Sequence, residues 1–183
     1  LKDKKSISIK EMLSHQAGLF PWIPFYKKTI DSLTNKPLSD WYKSSKKDGY
    51  SIKVTDDLFL KDVFLDTINS NIINSDLSVD KFYVYSDLPY YFIKNFLENK
   101  NKNNLDDQLK KILLLDLGAN KTTYNPTLSF SKSKIVPSEI DNYFRNTTLH
   151  GYVHDMGAAM QGGIGGHAGL FSNSNDVAKI MQM

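Results

Sequence analysis

The sequence predicts a mainly helical domain with ordered loops and little β-sheet. Two observations support this. Apolar residues recur at helical spacing through the middle of the chain, whereas the alternating pattern typical of strands is scarce. Several of these apolar segments also follow a residue type that can cap a helix. At 183 residues the chain is long enough to bury a substantial core in one domain.

The first helix is expected within residues 7–15. Ser8 can accept a hydrogen bond from the first amides, and Glu11 stands three residues later, as in a capping box. Gly18 then supplies a residue type that readily adopts the left-handed backbone found after helices. Residues 31–50 are polar and contain Pro and Gly, so we expect a loop there.

Four later segments predict further helices, at residues 58–73, 87–98 and 105–115 and from about Asn173 onward. In the second of these we expect Tyr91 and Phe96 to be buried. Residues 120–148 are rich in Ser, Thr, Asn and Pro and predict an irregular segment on the surface.

The composition excludes several classes of function. The net charge is only +3, with 23 basic and 20 acidic residues, and the lysines are scattered, so we expect no nucleic-acid partner. There is no cysteine, which excludes disulfides and thiolate metal sites. No apolar run reaches the roughly 20 residues of a membrane helix. The chain begins with leucine rather than methionine, which suggests an excised piece of a longer protein.

The triplet Tyr85-Ser86-Asp87 is the first candidate for chemistry. Tyr85 precedes a predicted helix start, where the amide dipoles favour an anion and would lower the phenol pKa. A tyrosinate can serve as general base for a serine hydroxyl if a lysine lies nearby. The alternative is structural: Tyr85 packs in the core while Ser86 or Asp87 caps the helix.

A serine one helical turn before a lysine would be the expected nucleophile pair. The spacing S-x-x-K occurs four times, at Ser44/Lys47, Ser78/Lys81, Ser129/Lys132 and Ser131/Lys134. All four pairs lie in polar segments with no apolar helix behind them. We therefore interpret them as chance matches.

The histidines and the glycine run raise the question of a metal or phosphate site. Only His150 and His154 have i, i+4 spacing, and a glycine separates them, so we assign no metal ligand and no cofactor and expect structural roles for the histidines. The glycines of residues 162–169 lack the Lys-Ser/Thr that follows in a P-loop. They indicate close backbone approach around a pocket instead.

Four segments taken together resemble class C-type serine hydrolases of the β-lactamase/penicillin-binding-protein group. The segment Tyr85-Ser86-Asp87-Leu88 resembles their Y-S-N/D motif, and Gly166-His167-Ala168-Gly169-Leu170-Phe171-Ser172 resembles their G-G-L-F-S-T motif. Residues 9–19 and 115–126 are similar to two further segments, in the same order along the chain.

This resemblance implies that residues 1–183 are part of a larger domain, the helical subdomain of the α/β β-lactamase/transpeptidase-like fold. The S-x-x-K segment would lie upstream, and the K-T-G or H-x-G strand downstream. By the same resemblance, Tyr85 is the catalytic tyrosine and Asp87 occupies a catalytic position usually held by Asn. Trp22, Gly166 and His167 would border the substrate pocket.

The implied function is a segment of a serine acyl hydrolase of peptidase, β-lactamase or esterase type that acts through an acyl-enzyme. Its substrate would be a small-molecule or peptidoglycan-derived ester or amide. The protein would act in the periplasm or cell envelope, and the isolated chain would be inactive. If the chain is a piece, exposed apolar surface should favour a dimer or association with missing segments.

Residues 137–155 resemble a branch fused to family 3 glycoside hydrolases in Bacteroidetes-type cell-envelope proteins. A name such as β-N-acetylglucosaminidase would then describe the fused domain and not these residues. Two other interpretations remain open at this point. One is a non-catalytic binding domain of the same fold, and the other is a purely helical interaction module.

Overall fold

The computed structural model describes residues 3–80 and 82–183, and this part of the chain is mainly helical with two small antiparallel sheets. The helices are α1 (Ile9–Leu13), α2 (Phe64–Asn74), α3 (Leu88–Asn101), α4 (Leu105–Lys110), α5 (Met156–Ala159) and α6 (Ser174–Met181). The strands are β1 (Tyr42–Lys43), β2 (Ile52–Thr55), β3 (Leu58–Leu60), β4 (Glu139–Asp141) and β5 (Thr147–Leu149). The expectation of helices, ordered loops and little sheet is confirmed.

The helix starts follow the capping residues of the sequence. The Ser8 hydroxyl accepts a hydrogen bond from the Glu11 amide at 3.2 Å, and the Glu11 carboxylate accepts one from the Ser8 amide at 2.7 Å. Asn173 caps α6 through its side chain. Gly18 has a φ of +70°, the left-handed conformation expected after α1.

The predicted start of the second helix was wrong. Leu58–Leu60 is strand β3, which pairs with β1 on one side and β2 on the other, and the helix begins only at Phe64. The strands form because Asp56 and Asp57 allow the chain to reverse between β2 and β3. Leu60 is fully buried in this sheet, so the apolar residues that looked helical belong to two different elements.

Two strands also lie inside the segment that we expected to be irregular. Strands β4 and β5 pair in antiparallel register, with Ile140 opposite Thr148. The residues between β4 and β5 carry Phe144, which is fully buried. Strand β1 similarly lies within the polar segment 31–50.

Helix α3 buries a narrower face than the sequence predicted. Leu88 and Tyr91 are in the core, as is Lys94, whose ammonium group lies 3.3 Å from the Gln161 side-chain oxygen. Burial lowers the pKa of Lys94. Phe96 is 54% exposed, so its expected burial was wrong, because the contacts of α3 run through the face that contains Tyr91 and Lys94.

The core lies between α2, the 3₁₀ turn Phe25–Lys28 and the residues that follow β4. Phe64, Ile68 and Ile72 of α2 are each at most 1% exposed. The carboxyl end of α2 is held by the Lys4 ammonium group, which donates to the carbonyls of Ile72 at 2.8 Å and Ile73 at 3.0 Å. A lysine placed there also complements the negative end of the helix dipole.

A membrane-spanning helix is not found within residues 3–80 and 82–183, where every helix falls short in length or apolar character.

Arg145 and Asp141 form a fully buried ion pair. The Arg145 Nε donates to Asp141 Oδ2 at 2.6 Å, and its two terminal nitrogens donate to the carbonyls of Val153 and His154, each at 2.6 Å. The other Asp141 oxygen accepts the amides of residues 143 and 144. Because both charges are paired and their hydrogen bonds made, this pair connects the β4–β5 sheet to the segment that leads into α5.

Replacing Asp141 by Asn should destabilise the fold strongly. Asp141→Asn keeps the size and an acceptor oxygen but leaves the buried guanidinium without a counter-charge, which costs about 3–5 kcal/mol. Urea unfolding followed by circular dichroism measures the loss. Asp56→Asn is the matched control, because Asp56 pairs with Lys53 and Lys132 on the surface, and it should cost less than about 1 kcal/mol. Equal losses in the two variants would contradict the role of the buried pair.

Candidate active site

The turn before α3 is bound to the loop that follows α1. The Ser86 amide donates to His15 Nδ1 at 3.1 Å, and the Ser86 hydroxyl donates to the Phe20 carbonyl at 2.5 Å. The Asp87 amide donates to the Pro21 carbonyl at 3.1 Å. The two segments that the sequence placed at one site are therefore neighbours, although about 65 residues separate them.

Ser86 and not Asp87 caps α3. The buried Ser86 hydroxyl accepts a hydrogen bond from the Leu88 amide at 3.3 Å. Asp87 stands at the N-cap position but makes no capping hydrogen bond with its side chain. Its carboxylate is therefore available for other partners.

Tyr85 is a surface residue and not a core tyrosine, so that part of the structural alternative was wrong. Its side chain is 57% exposed, and its ring lies 4.6 Å from the ring of His15. The charge of the Asp87 carboxylate is the largest influence on its hydroxyl. The phenol thus faces solvent at the start of α3, next to a negative charge.

The expected lowering of the Tyr85 pKa was also wrong. The negative charge of Asp87 raises the pKa of Tyr85, and partial burial adds to the rise. The leading charges that act on this phenol are those of Asp87, Tyr90 and Tyr83. The nearby carboxylate therefore outweighs the dipole of the following helix.

His167 is the most tightly held of the predicted site residues. Its Nε2 lies 2.9 Å from Asp155 Oδ1, and its side chain is only 3% exposed. The ring stacks on Tyr91, with centroids 4.6 Å apart and planes 19° from parallel. The same Asp155 oxygen accepts the Ala158 amide at 2.6 Å and so caps α5. Asp155 was not among the predicted site residues.

Asp87, Asp155 and His167 form one cluster, in which one ligand atom from each residue lies within 4.8 Å of the others. Burial raises the pKa of Asp87, and the nearby charge of Asp155 adds to the rise. Burial opposes ionisation of Asp155 as well, but the hydrogen bond from His167 leaves the pKa of Asp155 below its usual value. The three side chains have the donor types of a metal site.

The sequence indicated close backbone approach around a pocket for the glycine run, and the structure places the run against α3 at the edge of a cavity. A Cβ on Gly166 would collide with the Tyr90 carbonyl oxygen and lie 3.2 Å from the Lys94 Cβ. The run borders a cavity of about 570 Å³ together with Asp155, His167 and Tyr124. Glycine at this position therefore permits the close packing that brings His167 beside Asp155.

Trp22 comes directly after Pro21, whose carbonyl accepts the Asp87 amide. Its ring, however, lies against Tyr26, with centroids 6.4 Å apart. It is 42% exposed and does not border the cavity that His167 lines. The structure thus groups Tyr85, Asp87 and His167 with Gly166, and places Trp22 beside this group without a contact to His167.

The remaining histidines have mostly structural contacts. His15 accepts a hydrogen bond from the Ser86 amide, and His150 Nε2 lies 2.7 Å from the carbonyls of Lys132 and Ile135, so the expected bonds to backbone are confirmed for these two. His154 instead faces the Glu139 carboxylate at 3.7 Å.

The S-x-x-K pairs provide no helix-borne nucleophile within the described residues. Ser44, Ser129 and Ser131 are exposed and lie outside the α-helices, as does Ser78. Lys81, the partner of Ser78, lies outside the described residues. The interpretation of these pairs as chance matches is consistent with this placement.

Comparisons with known proteins support the class of protein that the motifs imply. The chain is 34% identical over 112 residues to a protein of Escherichia coli K12 named "Putative D-alanyl-D-alanine carboxypeptidase", an alignment that covers 55% of this chain and 26% of that protein. A protein of the same name from Salmonella agona is 31% identical over 113 residues, with the same coverage. The chain thus spans about a quarter of the length of these relatives.

Among solved structures, the chain is similar to a D-amino acid amidase from Ochrobactrum anthropi SV3 complexed with L-phenylalanine. The match has 12% sequence identity and a TM-score of 0.49, and it covers 94% of this chain and 44% of the amidase. No family model matches the chain. The sequence relatives support a relation to the penicillin-binding/β-lactamase-like serine hydrolases.

Replacing Asp87 by Asn should lower the pKa of the Tyr85 phenol, because the main cause of its rise is the charge of Asp87. The pKa can be followed by NMR of ¹³C-labelled tyrosine, with Tyr85→Phe assigning the signal. Asp56→Asn is the control, since Asp56 raises the pKa of Tyr152 and is not among the leading charges that act on Tyr85. An unchanged Tyr85 titration in Asp87→Asn would contradict the contact.

Proposed function

We propose that this chain supplies the tyrosine side of the active site of a serine acyl hydrolase, one that cleaves a D-amino acid amide or a related peptidoglycan-derived amide. The observation that carries the proposal is the exposed Tyr85 phenol at the start of α3, two residues before an Asp87 carboxylate that makes no capping hydrogen bond. The names of the sequence relatives, D-alanyl-D-alanine carboxypeptidases, favour this substrate class over a general ester.

The proposed reaction is acyl transfer through a serine. The serine oxygen attacks the substrate carbonyl carbon while its proton passes to the Tyr85 oxygen, and the same proton then protonates the leaving amine. Because Asp87 raises the pKa of Tyr85, the phenolate is a strong base but is scarce at neutral pH. A cation brought beside Tyr85 would increase its ionised fraction, and in this class of enzyme a lysine fills that role.

Asp87 would bind the substrate amide differently from asparagine. An ionised carboxylate accepts hydrogen bonds and cannot donate one. We therefore propose that Asp87 accepts the N–H of the substrate amide, while His167 and Gly166 form the wall behind it. Asp155 acts through His167 as a positioning residue.

The serine and lysine of the proposed mechanism lie outside these 183 residues. In this proposal the chain is the helical part of a larger domain, and the isolated chain is inactive. A fused family 3 glycoside hydrolase domain and a place in the periplasm or cell envelope belong to the same proposal. They rest on the resemblance of residues 137–155 and on the names of the relatives.

The segment before α3 is the proposed contact with the rest of the domain or with a second copy. It exposes Val79 to 97%, Phe82 to 74% and Tyr83 to 65%. Apolar side chains this exposed in one short segment favour association. We expect the isolated chain to dimerise, and light scattering of Phe82→Ser should show more monomer than light scattering of the unmodified chain.

The proposal is tested in a full-length protein that contains this chain. A fluorescent penicillin should label it, and Tyr85→Phe should reduce the turnover of a D-alanyl-D-alanine peptide by about 10²–10⁴-fold. Tyr50→Phe is the control, because the exposed Tyr50 hydroxyl donates to the Asp40 carbonyl outside the site, and it should retain activity. Full activity in Tyr85→Phe, or the absence of covalent labelling, would overturn the assignment and favour a non-catalytic binding domain.

A further inference from the structure

We propose that Asp87, Asp155 and His167 bind a divalent transition-metal cation, with Zn²⁺ as the best fit. The inference rests on the geometry of these three side chains and does not depend on the proposed acyl hydrolase. No sequence motif indicated this site, because its residues come from the start of α3, the start of α5 and the glycine run.

The three side chains already lie at nearly the separation that a metal requires. Ligands about 2.1 Å from a tetrahedral ion lie about 3.4 Å from one another. Here one donor atom of each residue lies within 4.8 Å of the others, and the His167–Asp155 pair is at 2.9 Å.

His167 distinguishes the cluster from a group of surface carboxylates. Its side chain is 3% exposed, and its Nδ1 is a buried nitrogen with no hydrogen-bond partner within the described residues. The nitrogen that contacts Asp155 is Nε2, so an ion between the carboxylates would bind Nε2 in place of its proton, and the unpartnered Nδ1 lies on another edge of the ring. The burial of the ring and the Asp155 contact hold the Nε2 atom within the cluster.

The supporting contacts hold these residues in place before any ion binds. The Tyr91 ring stacks on His167, and Gly157 leaves room for the Tyr91 hydroxyl, which a Cβ there would strike. The Ala158 amide fixes Asp155 at the start of α5. Such outer contacts are typical of metal sites, where they orient the ligands.

The charge balance also favours a cation. The ion pairs of the described residues give Asp155 only His167 as a partner, and they give Asp87 none. The neighbouring groups with the largest influence on the Asp87 carboxylate are His167, Asp155, Tyr85 and His15. Two carboxylates brought together in a partly buried position repel each other, and a divalent ion removes that repulsion.

The donor set selects the class of metal. One imidazole and two carboxylates suit Zn²⁺ and other transition ions, whereas Mg²⁺ and Ca²⁺ prefer oxygen ligands alone. Three protein ligands would leave a fourth position of a tetrahedral Zn²⁺ open. The ion would also neutralise the Asp87 charge that raises the pKa of the Tyr85 phenol, so it would lower that pKa.

The test uses the chain freed of metal by a chelator and titrated with ZnCl₂ or MgCl₂ in a calorimeter at neutral pH. We expect one Zn²⁺ per chain and no comparable binding of Mg²⁺. Asp87→Asn and His167→Gln should each weaken Zn²⁺ binding at least about tenfold, the size of effect seen for groups at metal sites. His154→Gln is the matched control, because His154 is an exposed histidine next to Asp155 in sequence, and it should bind Zn²⁺ as the unmodified chain does.

A second readout does not involve affinity. Saturating Zn²⁺ should lower the pKa of Tyr85 in the ¹³C NMR titration of the unmodified chain and not in His167→Gln. Asp87→Asn carries the test if His167→Gln fails to fold, since Asp87 makes no capping bond and its replacement should preserve the fold. Equal Zn²⁺ binding in Asp87→Asn and the unmodified chain, or no binding at all, would overturn the site. Either result would leave the Tyr85→Phe test of the hydrolase unaffected.

Discussion

The buried guanidinium of Arg145 is the constraint on which the arrangement of the site depends. A charge removed from water needs a counter-charge and partners for its N–H groups. Arg145 obtains the first from Asp141 and the second from the carbonyls of Val153 and His154. These bonds fix the backbone immediately before Asp155, so the start of α5 and the carboxylate that holds His167 are positioned by a residue outside the site.

A second constraint comes from backbone contacts and does not depend on side-chain chemistry. The turn before α3 is bound to the carbonyls of Phe20 and Pro21, and the glycine run lies against the Tyr90 carbonyl. The first contact uses the backbone amide of Asp87 and the small side chain of Ser86. The second contact requires glycine, because a Cβ would collide with the Tyr90 carbonyl. The Tyr85 and His167 side chains are therefore brought to the two sides of the start of α3 by main-chain geometry, and Asp87 lies between them.

The parts of the fold that depend on local chemistry could be predicted from the sequence. Ser8, Asn173 and Gly18 mark helix ends because capping acts over three or four residues. The β2–β3 hairpin could not be predicted, because Leu58–Leu60 continues an apolar pattern that belongs to the next helix. Its strand character comes only from pairing with Ile52–Thr55 and Tyr42–Lys43.

Some features of the candidate site could also be predicted from the sequence, and others could not. Tyr85, Asp87 and His167 could be named because short motifs resemble a known class, and their roles remain proposals. The direction in which the Tyr85 pKa shifts could not be predicted. It depends on the orientation of the Asp87 side chain, which is not used for capping because Ser86 caps the helix. Asp155 was missed because its partner His167 is twelve residues away in irregular backbone, where no periodicity relates the two.

The contact between Lys4 and the carboxyl end of α2 has a consequence for how the molecule assembles. Lys4 is separated from its acceptors Ile72 and Ile73 by 68 and 69 positions in the sequence. The contact therefore forms only after a long loop has closed and much of the chain entropy has been lost. The last turn of α2 should therefore acquire its protection from hydrogen exchange late. It should also lose that protection together with the amino-terminal turn Asp3–Ser6, as one cooperative opening, while the buried middle of the helix stays closed.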